Sequence, residues 1–292
     1  MAYFGRLLTA MVTPFNEDLS VDHEKASLLA RRLEENGSDG IVVAGTTGES
    51  PTLSGAEKIQ LFETVRKAVS KNTSVIAGTG SNSTRYSIEL TKEAEAVGVD
   101  GIMAVVPYYN KPSQEGLVQH FKAIAESTDL PIIVYNVPAR TSLNLRAETV
   151  GILAGIDNIV GLKEAANDVD QAAAIRRICP NDFILYSGND SFTLPLMSLG
   201  GYGVISVASH IAGNDIKKMI ESFIGGDVQT AQELHLKLYP LFRDLFITSN
   251  PVPVKAALGM VGFDVGGARL PLVPLTPEER EVVKNTLDQY GV

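Results

Sequence analysis

The 292 residues are 45% hydrophobic and 20% charged, a composition that excludes a disordered polypeptide and suits one barrel with a small addition or two ordinary domains. The 25 basic and 34 acidic residues give a net charge of −9, which disfavours nucleic acid or an anionic membrane as partner but leaves room for a small anionic substrate held by a few local cations. Cys179 is the one cysteine, so no intrachain disulfide can form and the thiol reads as a small buried hydrophobe. No apolar run approaches the roughly 20 residues needed to cross a bilayer. Met1 to Arg6 lacks the basic-then-apolar pattern of a secretory leader, so the expected location is cytoplasmic.

Short runs rich in Val and Ile recur along the chain at Leu7–Val12, Gly40–Ala44, Ser74–Ala77, Gly101–Val106, Pro131–Tyr135, Ile159–Leu162, Phe183–Tyr186 and Gly203–Val207. Each is apolar throughout rather than alternating, as strands of a parallel sheet buried on both faces are. Helical period fills the intervals; in Asp22–Glu35, Ala26, Leu29, Ala30 and Leu33 share one side. Gly37 and Gly98 stand at equivalent helix-to-strand junctions, as does Gly200, each placed for a left-handed helix C-cap. Ser54 with Glu57, and Thr276 with Glu279, match the capping box. Residues 1–225 thus read as a (β/α)8 TIM barrel, and residues 226–292 as a helical C-terminal extension with helices at Val228–Phe246, Pro253–Val261 and Pro277–Tyr290. A doubly wound open sheet is the competing architecture.

In such barrels the active site lies at the C-terminal ends of the strands. Those ends carry Gly45-Thr46-Thr47-Gly48-Glu49, Gly78-Thr79-Gly80, Pro107-Tyr108-Tyr109-Asn110, Tyr135-Asn136, Lys163-Glu164 and Ser187-Gly188-Asn189-Asp190. Lys163 closes an apolar run, Ile159 to Leu162. An ordinary lysine is only about 0.04% neutral at pH 7, and holding it neutral takes roughly 4–5 kcal/mol, which apolar walls and other cations can supply. Such an amine is the nucleophile of Schiff-base chemistry; the alternative is a strand-end lysine paired with Glu164. Tyr135 is either a proton relay beside an imine or a core aromatic with its hydroxyl at the rim. Thr46 and Thr47 offer hydroxyls and N–H groups to a carboxylate, or simply make a turn. Arg140 is placed to grip a substrate carboxylate with two hydrogen bonds, or is a solvated loop residue. Neither glycine-rich loop has dinucleotide or P-loop spacing, so no nucleotide cofactor is expected. His23, His120, His210 and His235 lack metal-ligand spacing. Three read as helix-surface residues, and His210 as a possible lining of the barrel mouth.

Taken in order, Gly45 to Ser50, Val106 to Asn110, Tyr135 to Thr141 and Gly161 to Glu164 resemble the motifs of the dihydrodipicolinate synthase family, within the pyruvate-dependent class I aldolases, and the resemblance runs along nearly the whole chain. It implies a carbon–oxygen lyase of lysine and diaminopimelate biosynthesis with no cofactor beyond a covalent imine. Lys163 would condense with pyruvate, and Tyr135 would relay protons with Thr46 and with Tyr109 of a neighbouring subunit. Thr47 would hold the pyruvate carboxylate together with Thr46, Gly188 and Ile205 would line the pyruvate site, and Arg140 would bind L-aspartate 4-semialdehyde. The implied assembly is a homotetramer, a dimer of dimers.

Relatives acting on sialic or keto-deoxy-sugar acids share the lysine and tyrosine, and Arg140 favours the synthase over them. Ser50, Asn82 and Tyr108 match the cleft where lysine inhibits some members. Gly55 and Lys58 replace its histidines and Tyr86 its carboxylate, so weak or absent inhibition by lysine is expected. A keto-acid sensor on the same fold should have lost Lys163, Tyr135 or Arg140. A phosphate-substrate isomerase would need a better phosphate loop than Gly188 to Asp190.

Overall fold

The structure, a computed structural model, describes residues 4–292, and the first three positions of the N-terminal stretch lie outside it. Its strands are β1 (Leu7–Ala10), β2 (Gly40–Val43), β3 (Ser74–Gly78), β4 (Gly101–Val105), β5 (Ile132–Asn136), β6 (Ile159–Glu164), β7 (Ile184–Ser187) and β8 (Gly203–Ser206). All neighbouring pairs are parallel, and β8 pairs with β1 to close the barrel. That closure rules out the open sheet. Around it run α1 (His23–Glu35), α2 (Gly55–Ala68), α3 (Thr84–Val97), α4 (Gln114–Ala125), α5 (Pro138–Thr141), α6 (Ala147–Leu153), α7 (Val169–Ile178), α8 (Thr193–Ser198) and α9 (Ser209–Ile224). Three further helices follow: α10 (Val228–Asp244), α11 (Val252–Met260) and α12 (Pro277–Tyr290). Among the described residues, no helix is long and apolar enough to cross a membrane.

Both capping boxes form, at Ser54–Glu57 and Thr276–Glu279. Gly37 and Gly98 take positive φ values of 95° and 85° just past their helices, the conformation a side chain would resist. His120 departs from its surface reading: it is 6% exposed, with Nδ1 2.8 Å from the Thr84 hydroxyl, and burial pushes its pKa down to about 4. His210 is buried too. Its Nδ1 donates to the Val207 carbonyl at 2.8 Å while Nε2 accepts from the Val12 N–H at 3.2 Å, so both nitrogens tie β8 to the end of β1.

Two apolar layers arise from the strand pleat. Leu8, Val42, Ile76, Met103, Ile133 and Ile205 fill the barrel interior, while Leu7, Ile41, Val75, Ile132 and Val134 face the helices. One strand breaks the alternation. Ile132 lies opposite Ile159, but Ile133 lies opposite Gly161, leaving Val160 as an extra residue in β6. Ile159 faces the helices and Val160 the interior. Counted by twos from Ile159, Lys163 would face the helices as well. The inserted residue resets the phase, so Lys163 comes into register with inward-facing Tyr135 and Glu164 with Asn136. Gly161 fits this step because a Cβ there would lie 2.6 Å from the Ile184 carbonyl of β7.

Candidate active site

A cavity of about 260 Å³ opens at the C-terminal end of the barrel, lined among others by Thr46, Ser50, Tyr108, Tyr135 and Arg140. Lys163 sits beside it rather than in its open wall, with Nζ 4.3 Å from the centre of the Tyr135 ring. The lysine is 5% exposed, and among the described residues its amine has no ion pair or hydrogen bond. Burial lowers its pKa to about 7; the Arg140 guanidinium adds to the fall, and the Asp190 carboxylate opposes it. A large fraction of this amine is therefore neutral near pH 7, as a nucleophile requires.

Pairing with Glu164, the alternative reading of this lysine, does not occur. Successive side chains on a strand point to opposite faces, and Glu164 turns outward. There it accepts from Asn136 Nδ2, from the Ala166 N–H at 2.7 Å and from Gln171 Nε2 at 3.0 Å.

Tyr135 is 5% exposed, and burial raises its pKa while Arg140 and the Thr46 hydroxyl work against the rise. Thr47 is buried, and its hydroxyl accepts from Asn250 Nδ2 at 2.9 Å, which ties the threonine loop to the segment entering α11. Gly188 follows β7, where a Cβ would meet Lys163 Cε at 3.3 Å and the Ala165 Cβ at 2.7 Å; its missing side chain leaves room for the lysine stem. Ile205 is a buried residue of the barrel interior. Tyr109 does not line the cavity of its own chain: it is 91% exposed and held at φ 72°.

Ser50 and Tyr108 line the cavity, and Asn82 accepts from Asn110 Nδ2 through its carbonyl at 2.8 Å. Nearby, the Lys58 amine lies 5.6 Å from the Tyr86 ring centre, and burial lowers its pKa. A Cβ on Gly55 would lie 3.5 Å from the Tyr86 hydroxyl.

Asp190, read in the sequence only as the end of a poor phosphate loop, is a further charged group near Lys163. It is 2% exposed and takes hydrogen bonds from Ser206 Oγ and from the N–H groups of Val207 and Ala208, both at 3.1 Å. It bears electrostatically on Lys163. Its position after a strand was visible, but nothing in the pattern said which way it points. Among the described residues, no group of three or more His, Cys, Asp or Glu side chains could hold a metal ion.

The model of the dihydrodipicolinate synthetase family matches residues 3–290. The 4-hydroxy-tetrahydrodipicolinate synthase of Moorella thermoacetica is 60% identical over 289 residues, covering 99% of both chains. The crystal structure of dihydrodipicolinate synthase from Bacillus anthracis superposes with a TM-score of 0.96 at 51% identity, covering 98% of each chain. That of the Cyanidioschyzon merolae enzyme with lysine bound gives 0.98 at 48%, covering 100% of this chain and 99% of that one.

Proposed function

The chain belongs to the dihydrodipicolinate synthetase family, and on that premise we propose how its residues carry out the condensation of pyruvate with L-aspartate 4-semialdehyde. It is a lyase acting as its relatives the 4-hydroxy-tetrahydrodipicolinate synthases do. One observation carries the assignment of roles: a buried amine that, among the described residues, has no hydrogen bond or ion pair, lying beside a tyrosine at the edge of a cavity that also holds an arginine.

The neutral Lys163 amine attacks the keto carbon of pyruvate, giving a carbinolamine that loses water to form the imine. Tyr135 lies against the amine and shuttles the protons, giving one to the departing hydroxyl and recovering one in the next step. Loss of a proton from the methyl carbon yields the enamine, whose carbon bonds to the aldehyde carbon of the second substrate. That substrate's amino group then attacks the imine carbon, closing the ring and releasing Lys163. Thr46 and Thr47 hold the pyruvate carboxylate, with Gly188 and Ile205 lining the pyruvate end. Arg140 grips the carboxylate of the semialdehyde. The covalent imine takes the place of any cofactor.

Tyr109 completes the proton relay of a neighbouring subunit, so the working unit is at least a dimer and, as in the family, a homotetramer of paired dimers. The near-complete exposure and left-handed backbone of Tyr109 support this reading. In the cleft of Ser50, Asn82 and Tyr108, Lys58 adds a cation where an inhibitory lysine would bring its own, and lysine inhibition is weak or absent. Half-inhibition by submillimolar lysine in a steady-state assay would count against that.

Borohydride reduction in the presence of pyruvate, followed by peptide mass mapping, tests the central step. The trapped mass falls on the Lys163 peptide and disappears without pyruvate; trapping elsewhere, or none, overturns the mechanism. Turnover of aspartate semialdehyde but not N-acetylneuraminate separates the synthase from the sugar-acid aldolases.

A further inference from the structure

Behind the catalytic face of β5 and β6 lies a polar cluster that the reaction itself does not use. Glu164 is fully buried, and among the described residues it has no cation paired with it. Its carboxylate accepts from Asn136 Nδ2 at 3.1 Å on both oxygens, from the Ala166 N–H at 2.7 Å and from Gln171 Nε2 at 3.0 Å. Asn136, also fully buried, reaches the far end of the segment that follows it. Its Nδ2 donates to Asn144 Oδ1 at 2.8 Å, and its Oδ1 accepts from the Leu145 N–H at 3.0 Å. Asn144 in turn donates to Gln171 Oε1 at 2.6 Å, and its carbonyl accepts from Gln114 Nε2 at 2.8 Å.

The segment closed by these bonds, residues 137–144, carries Arg140. It is also stiff within itself: the Arg140 N–H donates to the Val137 carbonyl at 2.9 Å, the Ser142 N–H to the Pro138 carbonyl at 2.9 Å, and the Thr141 hydroxyl to the Leu143 carbonyl at 2.9 Å. A stiff loop is still free to swing about its two ends unless both are pinned. Here one asparagine side chain pins both, and the carboxylate anchoring that asparagine belongs to the residue after Lys163. Apolar packing would stabilise the strands as well as a buried charge does, since a carboxylate is costly to bury. What neutral residues would not supply is a directional link between the amine and the guanidinium.

We propose that the buried Asn136–Glu164–Gln171–Asn144 network is a positioning device that holds the Arg140 loop over the cavity at a fixed distance from Lys163, and so sets the affinity for the second substrate. The inference rests on the assignment of Arg140 to the semialdehyde carboxylate. Its members touch neither substrate.

Asn144→Ala is the test, because Asn144 is half-buried and lies outside the barrel interior. We expect the KM for L-aspartate 4-semialdehyde to rise about tenfold, the loss of roughly one hydrogen bond's worth of positioning. The rate of pyruvate trapping by borohydride at Lys163 stays within about twofold, since β6 is untouched. Gln171→Ala gives the same split at smaller size and serves if the first variant fails to fold. Adding Asn144→Ala to Arg140→Ala produces no further rise in KM, because the loop then has nothing to position. A folded variant with unchanged KM overturns the proposal, as does one that loses trapping and semialdehyde use in equal proportion, or a double variant whose effects add. If Arg140→Ala itself leaves the KM unmoved, the assignment of Arg140 falls and takes the network's role with it. If Arg140→Ala raises the KM and Asn144→Ala does not, the network alone is refuted.

Discussion

Lys163 and Lys255 are buried to nearly the same degree, 5% and 4% exposed, but their amines meet different partners. The Lys255 amine, on α11, lies 2.6 Å from Glu49 Oε1 and donates to the Gly267 carbonyl at 2.6 Å. Among the described residues the Lys163 amine has no hydrogen bond or ion pair and lies against the face of Tyr135. Burial lowers the pKa of both; the Glu49 carboxylate works against the fall at Lys255 from direct contact, and Asp190 works against it at Lys163 without a salt bridge. Desolvation without a carboxylate in contact leaves an amine ready to attack a carbonyl; desolvation with one in contact makes a cross-link. The cross-link has its own use, since Glu49 follows the loop of Thr46 and Thr47, and Asn250 binds Thr47 from the same C-terminal segment.

The contrast is broken most severely by exchanging each lysine for methionine. Lys163→Met abolishes pyruvate trapping yet raises thermal stability at neutral pH. With a folded pKa of about 7 against 10.5 for the ordinary amine, the wild type carries its full burial penalty below pH 7. The penalty fades as pH rises from 7 to 10.5, where the unfolded chain binds the extra proton. Calorimetry should therefore find the variant's advantage largest at or below pH 7 and vanishing near pH 10.5.

Lys255→Met acts the other way, stranding Glu49 in the interior, and costs about 3–5 kcal/mol in urea unfolding. Adding Glu49→Gln restores part of that loss. Smaller in effect is the pH profile of trapping in the wild type, whose rate rises about tenfold per pH unit below the midpoint near 7 and levels off above it. A midpoint close to 10 would mean that Lys163 is solvated. Smallest is Glu57→Gln, which removes the 2.6 Å bridge to Arg269 at a more open site. Arg269 holds the Glu57 carboxyl down at about 2, so the bridge helps above pH 4.5 and its benefit is lost as pH falls toward 2. Solvent screening keeps its contribution under about 1 kcal/mol at neutral pH.

The barrel was legible because strands buried on both faces must be apolar throughout, and each such run became a strand with ends within a few residues of its expected place. The same uniformity hid the direction of the side chains. Ile159 to Leu162 is equally apolar on both sides, so nothing in it announces the extra residue at Val160 or says whether Lys163 or Glu164 meets the cavity. Lys163 was visible as a charge where none is expected, and Arg140 as a cation just beyond a strand. Asn136 and Gln171 gave no signal, because a buried amide resembles an exposed one until its partners are known. The helical period likewise did not place His120, which is buried with its ring edge-on to Phe121 and bonded to the Thr84 hydroxyl.

The step at Val160 gives β6 something like a reading frame with two settings. Slid by one residue against β5, the strand would present a carboxylate to the keto acid and bury the amine among the helices, and the outline of the barrel would hardly change. Two proteins could then superpose closely and differ completely in what they do to a carbonyl. Similarity of shape transfers the reaction only where that frame is kept.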